Sequence, residues 1–363
     1  MSQIEKTNLE SVRTKIDSID DQILALIEQR AECATEVARV KREAGETSNF
    51  YRPEREAQVL QKVMQNNKSH LDDSHVAVIF REIMSACLNL QQPLKVAFLG
   101  PAGTFTQAAA RKHFGHGTDE IPMATTELIL REVEAGTADF GVVPVENSTE
   151  GIVSNTLDCV MNTNLVINGE VEVKINQNLL TKAKSLSDIK VVYSHQQGLA
   201  QVRSWLDTNL PNIERIATSS TSEAARMASE DEAVAAISSA TAAEIYDVPV
   251  FAPCIEDLPN NTTRFLVVGK NHNEPSGNDK TSILLASTNV PGGLHKLLEP
   301  LAKYNVDMTR IESRPSQEKV WDYVFFIDVI GHSQDENLKL ALAEISEKAS
   351  LFRVLGSYPI AIL

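Results

Sequence analysis

"QQPLKVAFLGPAG", residues 91–103, divides the chain into two grammars. After Pro93, Leu94 to Leu99 is a continuous apolar strand that stops at Gly100-Pro101. Before it, the pattern is helical. Ile16, Ile19, Ile23, Leu26, Ile27, Ala34 and Val37 recur at spacings of three and four, with no Gly or Pro until Gly45. One helix is predicted from about Asn8 to Arg42, roughly 50 Å long at about 1.5 Å per residue. Two shorter helices follow. One has Pro53 in its first turn; the other follows Asp72-Asp73-Ser74 and carries Val76, Ile79, Phe80, Ile83, Met84 and Leu88 on one face. Two short helices cannot cover so long a third, which implies a dimer that shares its core between chains.

From Pro93 to about residue 270, short apolar runs ("ADFGVVPVEN", "KVVYSH", "AVAAIS", "RFLVVG") alternate with helical stretches. This is α/β grammar, either one domain or two similar lobes with a cleft. "GKNHNEPSGNDK", residues 269–280, is a polar, turn-rich linker. Beyond it the pattern predicts a strand (Thr281–Ser287), a helix (Leu294–Tyr304), strands (Met308–Ser313 and Val320–Ile330), a helix (Glu336–Ala349) and a last strand ending at Pro359-Ile360-Ala361-Ile362. That is βαββαβ, the ferredoxin-like order.

A net charge of -15 over 363 residues argues against nucleic acid or an anionic membrane as the main partner. Cys33, Cys87, Cys159 and Cys254 are scattered and form no CxxC pair, which suits reduced thiols in the cytoplasm. The polar, acidic N-terminus does not read as a signal peptide. No apolar run approaches the roughly 20 residues that span a bilayer.

In the helical segment, Arg30 and Lys41 are eleven residues apart, so at about 100° per residue they share a face. Arg13 lies about 25 Å earlier on the same helix and joins them only from a second, antiparallel chain. Arg55 and Glu56 open the second helix, and Cys87 and Gln91 lie four apart on the third. Such a set suits a small dianion with hydroxyls and a neutral acceptor oxygen, or else a row of solvated helix faces. In the middle segment, "GPAGTFT" turns a strand into a helix whose backbone N–H groups would attract an anion. It is neither GxGxxG nor a P-loop, which disfavours nucleotide and NAD chemistry. Glu146 and Asn147 stand just past a buried strand, where α/β ligands sit, or in a satisfied turn. Ser194 ends another strand, with Gln201 seven residues on; Ser194 could equally be an N-cap. In "LPNNTTRFLVVG", residues 258–269, Thr263 and Arg264 separate a turn from a strand.

"LESVRTKIDSIDDQILALIEQRAECATEVARVK", "FYRPEREAQVL" and "FREIMSACLNLQQP" resemble the all-helical chorismate mutase domain. The resemblance implies that Arg13 of a partner chain and Arg30 hold the carboxylates of chorismate. It implies that Lys41 and Gln91 hydrogen-bond its ether oxygen, and that Glu56 accepts from its hydroxyl with Arg55 nearby. Arg52 and Cys87 depart from the Asp and Ser found in some relatives. "GPAGTFT", "VPVENSTEG", "YSHQQGLAQ", "TSSTSEAA" and "NNTTRF", in that order, resemble prephenate dehydratase, a two-lobed α/β fold. By that resemblance Thr263 serves the departing ring hydroxyl. Glu146, Asn147, Ser194, Gln201 and Arg264 line the cleft, with Arg264 either on a carboxylate or bracing a loop through Glu146. Neither reaction calls for a metal or cofactor.

"NVPGGLHKLLEPLAKYNVDMTRIESRP" and "WDYVFFIDVIGH" resemble the ACT regulatory domain of such dehydratases. The resemblance implies a phenylalanine effector site between two such domains, built from Gly292, Gly293, Leu294 and Glu312-Ser313-Arg314-Pro315. Gly293 stands where Ala is common. The whole reads as a homo-oligomeric mutase and dehydratase with an effector domain. A mutase fused to prephenate dehydrogenase would need a dinucleotide fingerprint, and an aromatic-amino-acid sensor would not need the mutase constellation.

Overall fold

The computed structural model describes residues 3–45, 51–149, 151–287, 290–315 and 323–362. The first helix, α1, runs Gln3–Glu43, and the chain leaves it through Gly45 at a left-handed φ of 82°. Helices α2 (Pro53–Asn66) and α3 (Asp73–Asn89) pack on each other, and α3 also meets α1. Among its described side chains α1 buries only Ala34 and Ala38; Val12, Ile16, Ile19, Ile23 and Leu26 stay exposed. The chain's own helices therefore leave most of the apolar row predicted from sequence uncovered.

The first lobe contains β1 (Leu94–Leu99), α4 (Phe105–Phe114), β2 (Thr118–Met123), α5 (Thr126–Ala135), β3 (Phe140–Asn147), a two-residue β4 (Gly151–Ile152), α6 (Ser154–Met161) and β5 (Val166–Lys174). The chain then crosses to a second lobe. This contains β6 (Asn178–Thr181), β7 (Val191–His195), α7 (Gln196–Gln201), α8 (Arg203–Asn209), β8 (Glu214–Thr218), α9 (Thr221–Glu230), β9 (Val234–Ser238), α10 (Ala240–Tyr246) and β10 (Val250–Ala252). It returns as β11 (Thr262–Gly269). The first sheet has the order β2-β1-β3-β11-β5, with β4 beside β3; the second has the order β10-β6-β9-β7-β8. β11 thus enters the middle of the first sheet, antiparallel to β3 and β5, and its first residues lie where the lobes join. Side-chain caps from Thr125, Ser220 and Ser239 start α5, α9 and α10.

The last segment contains β12 (Asp279–Ala286), α11 (Gly293–Lys303), β13 (Met308–Pro315), β14 (Tyr323–Ile330), α12 (Glu336–Lys348) and β15 (Leu351–Pro359). Its antiparallel sheet has the order β13-β14-β12-β15, which is the ferredoxin-like arrangement read from the sequence. The last strand stops at Pro359 rather than Ile362, because Pro359 already pairs with Asp279, the first residue of β12. The expected start of β14 at Val320 lies outside the described residues.

One hydrophobic core crosses from the first lobe into this last segment. It joins Ile129, Val143, Leu157 and Leu266 to Leu284, Phe326, Leu355 and Tyr358. The sheets touch backbone to backbone: a Cβ added to Gly356 of β15 would lie 2.1 Å from the carbonyl oxygen of Ile167 on β5. Only glycine permits that approach.

Candidate active sites

Strand β11 alternates its side chains between two environments. Phe265 and Val267 pack with α4, whereas Leu266 and Val268 pack with α5, α6 and the last segment. Opposite it, β3 bulges. Phe265 pairs with Pro144 and Arg264 with Glu146, which leaves Val145 as the extra residue. Past the bulge the rungs are Arg264–Glu146 and Thr263–Asn147. Thr263 and Asn147 face the interlobe cleft, while Glu146 and Arg264 turn to the opposite side.

The cleft has a volume of about 410 Å³, and its walls include Asn147, Gln177, Gln201, Thr263 and Phe265. That volume suits a small organic ligand. The amide Nδ2 of Asn147 donates to Thr263 Oγ1 at 2.8 Å and to Asn261 Oδ1 at 2.7 Å. Its Oδ1 accepts from the Thr149 backbone N–H at 3.0 Å and the Thr149 hydroxyl at 2.6 Å. Asn147 is therefore fixed in orientation and gives a hydrogen bond to a hydroxyl whose residue is only 8% exposed. A hydroxyl that accepts in this way is polarised and is a better donor in its remaining direction.

Gln177 was not recognised from the sequence. Its Nε2 donates to Gln201 Oε1 at 3.0 Å, and its buried Oε1 has no hydrogen-bond partner among the described residues. A buried acceptor on a cleft wall suits a substrate hydroxyl. The readable signal was the polar Asn176-Gln177-Asn178 breaking an apolar run. None of the described residues that line the cleft is Arg or Lys. Its polar groups are amides, hydroxyls, backbone and His195, which also caps α7 through Nδ1.

Three expectations for cleft residues differ from the structure. Ser194 is fully buried and donates to the Ile237 carbonyl at 2.7 Å. It lies under Gly198, whose added Cβ would come within 2.5 Å of Ser194 Oγ, so it neither caps α7 nor reaches the cleft. Glu146 forms an ion pair with Arg310 of β13 at 2.9 Å. The Arg264 side chain neither pairs with that of Glu146 nor enters the cleft. It contacts Glu170 of β5 at 2.8 Å, Asp328 of β14 at 2.7 Å and the Tyr358 hydroxyl of β15 at 3.1 Å. The "GPAG" turn also differs from a free anion cradle. Gln107 Oε1 takes the Gly103 N–H at 2.6 Å, and Ser239 and Tyr246 bind the carbonyls of Gly103 and Ala102.

In the helical segment, Arg30 reaches the Ile83 carbonyl of α3 at 3.4 Å, and Arg42 reaches the Gln91 carbonyl at 2.6 Å. The two helices thus run in the same direction, which brings Lys41 and Gln91 to one end of their seam. Cys87 is buried on α3, and Arg13, Arg52 and Arg55 are exposed. Glu56 has a partner within the chain. It accepts from Arg81 at 3.1 Å, with only 14% of its side chain exposed, while Arg81 also donates to the Lys112 carbonyl of α4. Burial pushes the Glu56 carboxyl pKa up, and Arg81 opposes that shift.

In the last segment, Gly292 caps α11 with φ 76°, a conformation that favours glycine, and Gly293 is the first helical residue. A cavity of about 260 Å³ is lined by Gly292, Gly293, Leu294, Tyr323 and Phe325 among others. Ser313 and Pro315 pair with Phe325 and Tyr323, so the Glu312–Pro315 stretch flanks that cavity. Arg314 itself reaches Asp158 of α6 at 3.0 Å.

Comparison with known proteins supplies the chemistry. Residues 12–92 match the family model for chorismate mutase type II, residues 96–273 that for prephenate dehydratase, and residues 281–347 that for the ACT domain. A bifunctional chorismate mutase/prephenate dehydratase from Pseudomonas aeruginosa is 50% identical over 363 residues, covering 99% of this chain and all of the relative. The crystal structure of a prephenate dehydratase from Arthrobacter aurescens in complex with L-Phe has a TM-score of 0.67 and 37% identity, covering 73% of this chain and 89% of its own. A structure described as a novel type of quorum quenching acylase has a TM-score of 0.68 and 29% identity, covering 74% and 98%. Fold alone therefore does not fix the reaction; the family models and the full-length relative do.

Proposed function

The chain belongs to the bifunctional chorismate mutase/prephenate dehydratase family and carries both activities, and from that premise we propose that it serves phenylalanine biosynthesis under feedback inhibition by phenylalanine. Chorismate is rearranged to prephenate at the helical segment. Prephenate is decarboxylated and dehydrated to phenylpyruvate in the interlobe cleft. A cytoplasmic location goes with this reading.

The rearrangement breaks the ether C–O bond and forms a C–C bond with no covalent enzyme intermediate. Lys41 and Gln91 stabilise the charge that grows on the ether oxygen, and Arg30 holds a carboxylate. Arg13 completes the site from a second chain, with Arg52, Arg55, Cys87 and Glu56 around it. The exposed apolar row on α1 supports that homodimer. Glu56 would exchange its Arg81 contact for the substrate hydroxyl.

In the cleft, the bond to the ring carboxylate breaks and carbon dioxide leaves. The electron pair moves into the ring and expels the hydroxyl, which takes a proton and departs as water. Thr263 hydrogen-bonds that leaving oxygen, assisted by Asn147; Gln177 and Gln201 orient the substrate. A wall without Arg or Lys among the described residues suits the step, because a cation on the ring carboxylate would stabilise the charge that must be lost.

The observation that carries the reading is the Asn147–Thr263 pair facing the cleft. The test supplies chorismate alone and follows prephenate and phenylpyruvate with and without phenylalanine. Sequential appearance of both products, the second suppressed by phenylalanine, is expected. Prephenate without phenylpyruvate would overturn the cleft mechanism, and phenylpyruvate formation indifferent to phenylalanine would overturn the regulation.

A further inference from the structure

Four charged residues form a closed square across the boundary between the first lobe and the effector domain. Glu146 and Arg264 are cross-strand neighbours on β3 and β11. Arg310 and Asp328 are cross-strand neighbours on β13 and β14. The ion pairs Glu146–Arg310 at 2.9 Å and Arg264–Asp328 at 2.7 Å close the other two sides. We propose that this square is the joint through which the effector domain sets the position of Thr263, with Arg264 as the positioning residue; the inference rests on the feedback reading above.

The geometry gives the joint short arms. One residue from Glu146 along β3 is Asn147, and one residue from Arg264 along β11 is Thr263, so the next rung is the catalytic hydrogen bond. On the other side, two residues from Arg310 along β13 is Glu312, the start of the stretch that flanks the α11 cavity. Ladder hydrogen bonds make each rung move as a unit. A shift of β13 and β14 therefore pulls on both members of the Glu146–Arg264 rung together.

Slippage is disfavoured on the Arg264 side of the boundary, where the charges are buried, whereas Glu146 is partly exposed. The side chains of Arg264, Asp328 and Glu170 are 11%, 6% and 3% exposed. Lys280 of β12 holds the second oxygen of Glu170 at 2.6 Å, and Ser282 donates to Asp328 Oδ1 at 2.5 Å. Arg264 and Lys280 balance Glu170 and Asp328. A displacement that left one of these groups behind would strand a charge away from water. Arg264 thus follows the effector sheet when that sheet moves, and Thr263 is next to it in the chain. The shared core on this face adds to the stiffness of the coupling.

The experiment uses the full chain with Asp328→Asn and Arg310→Ala, neither of which contributes to a substrate site. Phenylalanine binding is measured by calorimetry, and dehydratase kcat and KM are measured across phenylalanine concentrations; mutase activity reports folding. Binding within about threefold of wild type, together with a roughly tenfold rise in the half-inhibiting concentration, is expected. Arg264→Lys, which keeps the charge, is expected to retain inhibition better than Arg264→Met and to change kcat more than KM. Should Asp328→Asn not fold, Arg310→Ala alone decides. Inhibition unchanged in a folded variant overturns the joint. Loss of binding along with inhibition also overturns it, assigning the square to the effector site instead. A wild-type enzyme that takes up no phenylalanine would remove the feedback reading itself, which is a distinguishable failure.

Discussion

Asn147 donates from Nδ2 to Thr263 Oγ1 at 2.8 Å, on the second rung beyond a β-bulge at Val145. The bulge makes this contact possible by turning Asn147 to the same face as Thr263. In the mechanism we propose, that bond polarises the threonine hydroxyl, so both partners would contribute to expelling the ring hydroxyl. Thr263→Ala is expected to lower dehydratase kcat by about 10²–10⁴-fold, the usual range for a positioned proton donor. Asn147→Ala is expected to give a smaller loss, and Thr263→Ser to retain most activity. Mutase activity is the internal control. Near-normal phenylpyruvate formation by Thr263→Ala would remove the residue from the mechanism.

A second prediction concerns the helical segment. In one chain Arg13 lies about 25 Å from Arg30 along α1, and the apolar row beside it is exposed. A site built by two chains allows complementation. Arg13→Ala and Lys41→Ala homodimers are each expected to lack mutase activity. After subunit exchange, mixed dimers carry one intact site and should recover part of the rate. Absence of recovery, once exchange is verified with differently tagged chains, counts against the shared site.

The elements that sequence periodicity could reach were the ones read correctly. The long α1, the α/β alternation after Pro93 and the βαββαβ order each leave a local pattern of spacing and turn residues. What was missed depended on tertiary partners. Glu146 and Asn147 are adjacent in sequence, and no local pattern shows that Val145 bulges between two pairing registers. Ser194 looked like a strand-end hydroxyl, but it is consumed by the Ile237 carbonyl. Arg264 found its carboxylates on β5 and on β14 of the effector domain, the latter outside the segment in which it was read. Glu56 lies against Arg81 because α3 is also docked on α4 through the Lys112 carbonyl.

The effector turn gives a third prediction. Gly292 has φ 76°, which favours glycine, whereas Gly293 is already in the helix, where alanine fits the backbone. Gly293→Ala should reduce the freedom of the unliganded turn and stabilise it by roughly 0.4–1 kcal/mol. If phenylalanine binds here, that preorganisation should tighten its affinity by a few fold, read by calorimetry. Gly292→Ala should weaken it instead, because the left-handed backbone becomes strained. Equal effects of the two substitutions would contradict the assignment of the turn to the effector.

The last prediction concerns acid stability. His113 on α4 stacks edge-on against Phe114 and lies 3.3 Å from the Tyr51 hydroxyl, at the junction with the helical segment. Burial lowers its pKa to about 3, and the nearby Arg81 cation adds to the shift. An unfolded histidine titrates near about 6.5, so below that pH the unfolded chain takes up a proton that the folded chain refuses. Stability is therefore complete above about pH 6.5 and falls as the pH drops toward about 3, by at most about 1.4 kcal/mol per pH unit. The ring also lines a small cavity with Arg81 and the Pro359–Ile362 tail, and water admitted there would reduce the slope. Urea midpoints measured from about pH 7.5 to about pH 4.5, a window that spans the unfolded titration, should fall more steeply in wild type than in His113→Gln, whatever the absolute stability of the variant. Parallel pH slopes for the two proteins would show that His113 protonates freely in the fold.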